Sequence, residues 1–223
     1  MNLFTEIPAS KRSLAQRKLI HGVGINDANY IIQPLIDGKQ TRCHFYVVWK
    51  SMIERCYSKK FQEKNPTYMG CSVAKEWLTF SSFRQWMEAR NWVGLELDKD
   101  ILVSDNKVYS QETCMFVSSQ INTLLSGNAT KRGKYPQGIY WHKKSGKFIA
   151  QCNVGGRKRY LGLFSTQKEA EYTYLIFKAG VIEAFSSSDE VSKDERLSKA
   201  LMAHSYLFII KADALLSQLE NAK

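Results

Sequence analysis

Hydrophobic residues recur at helical spacing in the first half of the chain. Val48, Met52 and Cys56 lie four residues apart with Trp49 and Ile53 beside them, which predicts a helix from about residue 43. A second stripe occupies residues 75–90 and predicts another helix, with the stripe packed in a core. The members of this second stripe are Trp77, Phe80, Phe83, Trp86 and Met87.

The pattern changes between residues 92 and 125, where it predicts a short hairpin followed by a helix. Leu95 and Leu97 alternate with polar residues, and Ser104–Lys107 is rich in turn-forming residues. Val108–Tyr109 is the predicted return strand. Ser110 is a candidate cap for the element that follows.

Three strand-like runs follow, joined by turns that contain glycine, as hairpin turns often do. These runs are Gly138–His142, Lys147–Val154 and Arg157–Phe164. Thr166 and Glu169 then have the spacing of a capping box, which predicts the start of a helix. The apolar face predicted for this helix consists of Ala170, Tyr174, Phe177 and Val181.

This order of elements predicts an α+β protein in which a three-stranded antiparallel sheet is backed by one helix. Residues from about 194 to 221 predict a further amphipathic helix, which either closes the core or forms a dimer contact. The predicted divisions are an N-terminal segment (1–42), a helical domain (43–125), a linker (126–134), the sheet domain (135–186) and the C-terminal helix (187–223).

The distribution of charge points to a polyanionic partner. The formal net charge is +11, and no acidic residue occurs between Glu112 and Glu169. A stretch of one sign interleaved with aromatic residues is typical of a phosphate-binding surface. The basic residues of this stretch are Lys131, Arg132, Lys134, Lys143, Lys144, Lys147, Arg157, Lys158, Arg159 and Lys168.

Other composition features argue against a membrane or secreted protein. The chain has no unbroken apolar run of roughly 20 residues, and its N-terminus lacks the pattern of a signal peptide. We therefore expect a cytoplasmic, intracellular protein with free thiols. A zinc site would draw on Cys43, His44, Cys56 and Cys71, but their spacing fits no common zinc pattern, which favours buried thiols.

The segment from Gly138 to about Phe185 resembles the DNA-binding domain of the plant ethylene-response factors, the APETALA-type fold. The motifs that carry this resemblance are Gly138-Ile139, Gly146-Lys147-Phe148-Ile149-Ala150, Tyr160-Leu161-Gly162-Leu163-Phe164 and Thr166-x-x-Glu169-Ala170 leading to Tyr174. In that family the sheet enters the major groove of double-stranded DNA. The resemblance therefore implies a DNA-binding sheet here.

Carried over position by position, the reading residues are Gln137, Tyr140, His142, Lys147, Gln151, Asn153, Lys158 and Tyr160. Lys144 and Arg157, from the same basic stretch, complete the candidate DNA-binding set. Gln151 and Asn153 share their strand parity with Ile149, whereas the residues between them are predicted to face the helix. Since the plant proteins have arginines and a tryptophan at several of these positions, base preference does not carry over. A basic sheet surface that serves a protein or RNA partner is the alternative.

Residues 46–125 resemble phage-encoded proteins with an HNH-like nuclease core. The motifs are Trp49-x-x-Met52, Arg55-Cys56-Tyr57, Glu76-Trp77, Leu97-Asp98-Lys99-Asp100, Asn106-Lys107-Val108-Tyr109, Thr113-Cys114 and Gln120-x-Asn122. An HNH site is a β-hairpin and a helix that together hold one divalent metal. The resemblance implies Asp98 and Asn122 as metal ligands and Asn106 as the central asparagine.

The histidine that activates water in that family is replaced by Lys99, and a lysine is normally protonated at neutral pH. Either Asp100 or His44 acts as the base, or this copy has kept the fold without cleavage. A charged turn in a helical domain is the structural alternative. The candidate catalytic residues are thus Asp98, Asp100 and Asn106.

Three functions are consistent with this pattern. The leading hypothesis is a phage or mobile-element endonuclease of homing type that uses Mg²⁺ or Mn²⁺ and binds double-stranded DNA. The second is a DNA-binding regulator that does not cleave. The third is a phage factor that binds a host protein through its basic surface, and a homodimer is compatible with all three.

Overall fold

The computed structural model describes residues 4–125 and 134–220. The chain forms two compact units, Met1–Ser118 and Ser119–Lys223. Most of the linker predicted at residues 126–134 lies outside the described residues, as do Lys131 and Arg132. Both units contain helices and strands, so the predicted mixture of α and β structure is confirmed.

The first unit combines short strands with a helical core. Its helices α1–α4 span Lys11–Ala15, His44–Tyr57, Lys59–Lys64 and Phe80–Glu88, and 3₁₀ turns span Pro66–Tyr68 and Lys75–Leu78. Its strands β1–β6 span Leu35–Ile36, Lys39–Gln40, Ser72–Val73, Glu96–Asp98, Val108–Tyr109 and Met115–Val117.

Helices α2 and α4 build the core of this unit together with the aromatic stripe predicted for residues 77–87. Trp49 is fully buried, and its Nε1 donates a hydrogen bond to the Trp77 carbonyl at 2.7 Å. Phe80 and Phe83 are also buried and surround the same tryptophans. The N-terminal segment contributes Tyr30 to this core.

The helix predicted over residues 75–90 is interrupted at Thr79. This residue is extended, with φ −96° and ψ 126°, and separates the 3₁₀ turn from α4. The interruption has a tertiary cause, because Ile25 bonds across the break: its amide donates to Leu78 and its carbonyl accepts from Phe80. Helical periodicity alone does not reveal such a distant partner.

The hairpin predicted between Leu95 and Tyr109 is wrong. Strand β4 pairs antiparallel with β6, so that Leu97 lies opposite Phe116. Strand β5 instead pairs parallel with β3, with Tyr109 opposite Val73. All three residues of β6 are buried, so it shows no alternation that would have revealed it as the return strand.

Ser110 caps a turn rather than a helix. Its Oγ accepts hydrogen bonds from the amides of Glu112 and Thr113, both at 3.3 Å. The next helix, α5, begins only at Ser119 and ends at Leu125.

The second unit contains the predicted three-stranded antiparallel sheet, in the order β7-β8-β9. Its strands span Ile139–His142, Lys147–Val154 and Arg157–Phe164, and helices α6 and α7 span Gln167–Ser186 and Glu195–Glu220. The capping box is present: Thr166 Oγ1 accepts from the Glu169 amide, and Glu169 Oε2 accepts from the Thr166 amide. The sheet, the helix behind it and the C-terminal helix are therefore confirmed.

Helix α6 lies between the sheet and α7, so its buried surface is broader than one predicted stripe. Ala170 and Tyr174 are buried as expected, whereas Phe177 and Val181 are only half-buried. The other buried residues of α6 are Leu175, Lys178, Ala179, Ile182 and Ser186.

Helix α7 closes the core of this unit. Leu201 and Ala212 are fully buried, and Ser205 Oγ donates to the Ala179 carbonyl of α6 at 3.0 Å. Its length and composition would also suffice to cross a membrane, although no unbroken apolar run marks it in the sequence. Of its apolar residues, Leu197, Ala200, Leu201 and Ala212 are buried, whereas Met202, Leu207 and Ile210 are exposed.

Candidate nucleic-acid interface

The sheet of the second unit has one face covered by α6 and one outer face. On the covered face Ile139 pairs with Ala150 and Ala150 with Gly162, and Ile139 and Ala150 are buried. Pairs that alternate with these lie on the outer face. The outer-face residues are Tyr140, His142, Lys147, Ile149, Gln151, Asn153, Lys158, Tyr160 and Leu163.

The alternation predicted for β8 is confirmed. Ala150 and Cys152 are buried under the sheet, whereas Asn153 is exposed and Gln151 is half-buried. Gln151 lies opposite Tyr160, and Asn153 lies opposite Lys158. Of the ten candidate DNA-binding residues, seven therefore share one surface: Tyr140, His142, Lys147, Gln151, Asn153, Lys158 and Tyr160.

The other three candidates lie elsewhere. Gln137 precedes β7 and is half-buried. Lys144 is exposed in the turn between β7 and β8. Arg157 is exposed at the start of β9 but pairs with Val154, in the register of the covered face. Lys144 and Arg157 thus border the outer face, and they extend its positive charge at two ends.

A β-bulge in β9 changes the face of the residues beyond it. Ala150 pairs with Gly162 while the adjacent Gln151 pairs with Tyr160, so Leu161 is the additional residue. Gly162 has a φ of 143°, and a Cβ there would lie 2.9 Å from the Phe164 ring. The bulge brings Leu163 to the outer face. Glycine inside a strand pattern was the available signal for it.

The polar side chains of the outer face keep most of their hydrogen-bonding capacity. His142 Nδ1 lies 2.8 Å from Ser145 Oγ. Within residues 4–125 and 134–220, the side chains of Gln151, Asn153 and Lys158 have no hydrogen-bond partner. Their amide and ammonium groups are therefore free to bind a ligand.

The nuclease-like candidate residues of the first unit are arranged differently. Asp98 Oδ1 accepts hydrogen bonds from the amides of Asp100 and Ile101, each at 2.7 Å. Burial raises the pKa of the Asp98 carboxyl, although these two amides oppose the shift. Asp98 thus stabilises the turn that follows β4.

Asn106 and Lys99 complete this internal network. Asn106 Nδ2 donates to the carbonyls of Lys99 and Val108 at 2.8 and 2.7 Å, and its Oδ1 accepts from the Val108 amide at 3.1 Å. Lys99 is 5% exposed, and its Nζ donates to Asp100 and, at 2.7 Å, to the Asn106 carbonyl. Each of these side chains holds the loop between β4 and β5.

Two features of these first-unit residues disfavour a bound divalent metal. One Asp98 oxygen already accepts two amides, and the buried Lys99 ammonium interacts with the same carboxylate. A positive charge at this place repels a second cation. The described residues also contain no group of three His, Cys, Asp or Glu side chains suited to a metal. Asn122, the other expected ligand, is a half-buried residue of α5.

The alternative bases are also engaged in other contacts. Asp100 forms an ion pair with Lys99. His44 stacks on Trp92 with 4.9 Å between ring centroids, and burial lowers the pKa of its imidazole.

All five cysteines are free and buried, and burial raises the pKa of the Cys56 and Cys114 thiols to about 12.

Comparisons with protein-family models, curated proteins and solved structures found no match to this chain.

Proposed function

We propose that this protein binds double-stranded DNA through the outer face of its three-stranded sheet. The observation that carries the proposal is a surface on which Gln151, Asn153 and Lys158 are free of hydrogen bonds within the described ranges. Amide side chains can bind adenine edges in the major groove, and lysine can bind guanine or phosphate. A two-stranded or wider β-ribbon fits that groove.

Charge complementarity supports DNA over an uncharged partner. The sequence has no acidic residue from 113 to 168, and Lys147 and Lys158 lie on the outer face itself. Lys144 and Arg157 add positive charge at its borders. Such a surface gains affinity by releasing counterions from the phosphate backbone, so binding should weaken steeply with salt.

Binding without strand cleavage is the function that the geometry supports best. Cleavage of the HNH type would need Asp98 as a metal ligand and a base nearby. The hydrogen bonds of Asp98, the ion pair of Asp100 and the buried Lys99 do not favour either role. The proposed role is therefore that of a DNA-binding regulator of phage or mobile-element type.

The proposal is tested by selecting bound duplexes from a random pool and measuring their affinity by fluorescence anisotropy. We expect Lys158→Gln to weaken binding to all sequences and to reduce the salt slope by about 1. We expect Asn153→Ala to weaken the selected site by about tenfold and to relax preference at one base pair. Lys193→Gln, an exposed lysine between α6 and α7, is the matched control and should change neither property.

Three results would contradict this function. Equal competition by duplex RNA would do so, because the A-form major groove is too narrow for side chains to read its bases. Weak retention on DNA together with a stoichiometric host protein would favour the protein-partner alternative. Nicking of the selected site with Mg²⁺ or Mn²⁺ that is lost in Asp98→Ala would restore the endonuclease hypothesis.

A further inference from the structure

A row of apolar side chains crosses the outer face of the sheet. Tyr140 lies opposite Ile149, and Ile149 lies opposite Leu163, so the three side chains are neighbours on one face. Tyr140 is 49% exposed, Leu163 is 39% exposed and Ile149 is half-buried. A single isoleucine would be unexpected on a surface of polar base-contacting residues. Ile149 is instead the centre of an apolar strip.

This row does not contribute to the core. The core side of the same strands carries Ile139 and Ala150, which pack against α6. Leu163 reaches the outer face only because of the bulge at Leu161. A contiguous apolar strip rimmed by polar residues indicates a binding surface more often than an isolated exposed hydrophobe does.

We propose that the Tyr140–Ile149–Leu163 row contacts the 5-methyl groups of thymine in the major groove. This inference rests on the proposed DNA-binding function. Thymine is the standard base that presents an apolar group in that groove. Gln151, two residues from Ile149 on the same face, supplies the bidentate amide that suits adenine. Apolar and amide groups side by side thus match A·T pairs.

The charge of the surface favours DNA as the occupant of the apolar row. Lys147 lies two residues before Ile149 on the same face, and Lys158 lies on the neighbouring strand. The sequence has no acidic residue from 113 to 168, so this surface attracts a phosphate-bearing partner more strongly than an uncharged apolar partner. If the row instead bound a protein, removing methyl groups from the bases would not change the affinity of this chain for DNA.

The test replaces each thymine of the selected site, one at a time, with deoxyuridine, which lacks only the methyl group. Loss of one buried methyl should weaken binding about fourfold at the contacted positions. The full-length protein is unchanged in this measurement, so misfolding cannot produce the effect. Ile149→Ala should bind the thymine site more weakly and lose its response to deoxyuridine at one or more of those positions.

Ile176→Ala provides the matched control, because Ile176 is 41% exposed on α6, away from the outer face. This variant should keep both the affinity and the deoxyuridine response. A second arm methylates each cytosine of the site at carbon 5. The assignment to thymine would be overturned if cytosine methylation tightened binding while replacement of thymine by deoxyuridine did not weaken it.

The outcomes separate this inference from the function on which it rests. Selective DNA binding that is unchanged by every deoxyuridine replacement would overturn the thymine contact and leave the DNA-binding function standing. A selected site without thymine would have the same meaning. Failure to retain any duplex would overturn both.

Discussion

The loop from Asp98 to Asn106 and the outer face of the sheet use similar polar residues in opposite ways. In the loop, the side chains of Asp98, Lys99 and Asn106 donate to or accept from backbone groups of the loop itself. On the sheet, Gln151 and Asn153 have no such partners among residues 4–125 and 134–220. Hydrogen-bonding capacity used inside a fold is unavailable to a ligand, so resemblance of residue types does not by itself establish a shared role.

The largest loss of stability should come from a substitution at Gly138, the residue directly before β7. Gly138 has a φ of 79°, and a Cβ there would lie 2.4 Å from the Tyr174 ring and 2.5 Å from the Gln151 carbonyl. We expect Gly138→Ala to lower the free energy of unfolding of this unit by about 3 kcal/mol and to abolish DNA binding. Urea unfolding followed by hydrogen exchange in β8 peptides measures the change.

Gly146→Ala is the control for backbone strain alone. Gly146 has a φ of 62° in the turn between β7 and β8, with open space around its Cβ position. Its substitution should lower the free energy of unfolding by only about 1 kcal/mol. Equal losses in the two variants would mean that the close contact of Gly138 with Tyr174 is unimportant.

The next largest effect should come from Asn106→Ala, which removes three hydrogen bonds to backbone groups. We expect the free energy of unfolding of the first unit to fall by about 2 to 3 kcal/mol. DNA affinity of the folded protein should stay unchanged, because Asn106 is structural in this interpretation. Fluorescence of Trp49 and its neighbours reports this unfolding, and the exposed Ser104→Ala is the control. A selective loss of DNA affinity would instead place Asn106 in a functional site.

Substitution of Lys178 should have a smaller effect and should increase stability. Lys178 is 5% exposed and lies on α6, the helix that backs the sheet. Burial lowers the pKa of its ammonium below the ordinary value of 10.5. The unfolded chain therefore holds this proton more tightly, and the contribution of Lys178 to stability rises with pH up to that value. We expect Lys178→Met to raise the free energy of unfolding by about 1 kcal/mol at neutral pH.

The pH dependence provides the check on Lys178. The advantage of Lys178→Met over the natural chain should shrink as pH increases toward 10.5. Lys168→Met, at an exposed position of the same helix, is the matched control for the substitution. A difference independent of pH would mean that packing, and not charge burial, explains the change.

The smallest effect on stability should come from the sheet's outer face. Gln151→Ala should change the free energy of unfolding by less than about 0.5 kcal/mol, since the side chain has no hydrogen-bond partner in the described part of the chain. The same variant should lose about tenfold in DNA affinity. Thermal unfolding and anisotropy on one preparation measure both. A large stability loss would remove the contrast with Asn106.

Local signals in the sequence were sufficient to predict the three strands of the second unit and the helix behind them. Alternation, glycine turns and the Thr166–Glu169 capping box all act between residues close in the chain. They specify β7-β8-β9, the start of α6 and the face on which Gln151 and Asn153 lie. The sequence also predicted a helix at α2 and the core position of the aromatic stripe on α4.

Only the tertiary structure decided the features that depend on distant partners. Thr79 is extended because Ile25 pairs beside it, and β6 takes the place beside β4 that was predicted for β5. The bulge at Leu161 places Leu163 in the apolar row, and hydrogen bonds tie Lys99 and Asn106 into the loop that follows β4. Periodicity shows which residues are apolar. Long-range pairing and burial determine which polar side chains keep free hydrogen-bonding groups for a ligand.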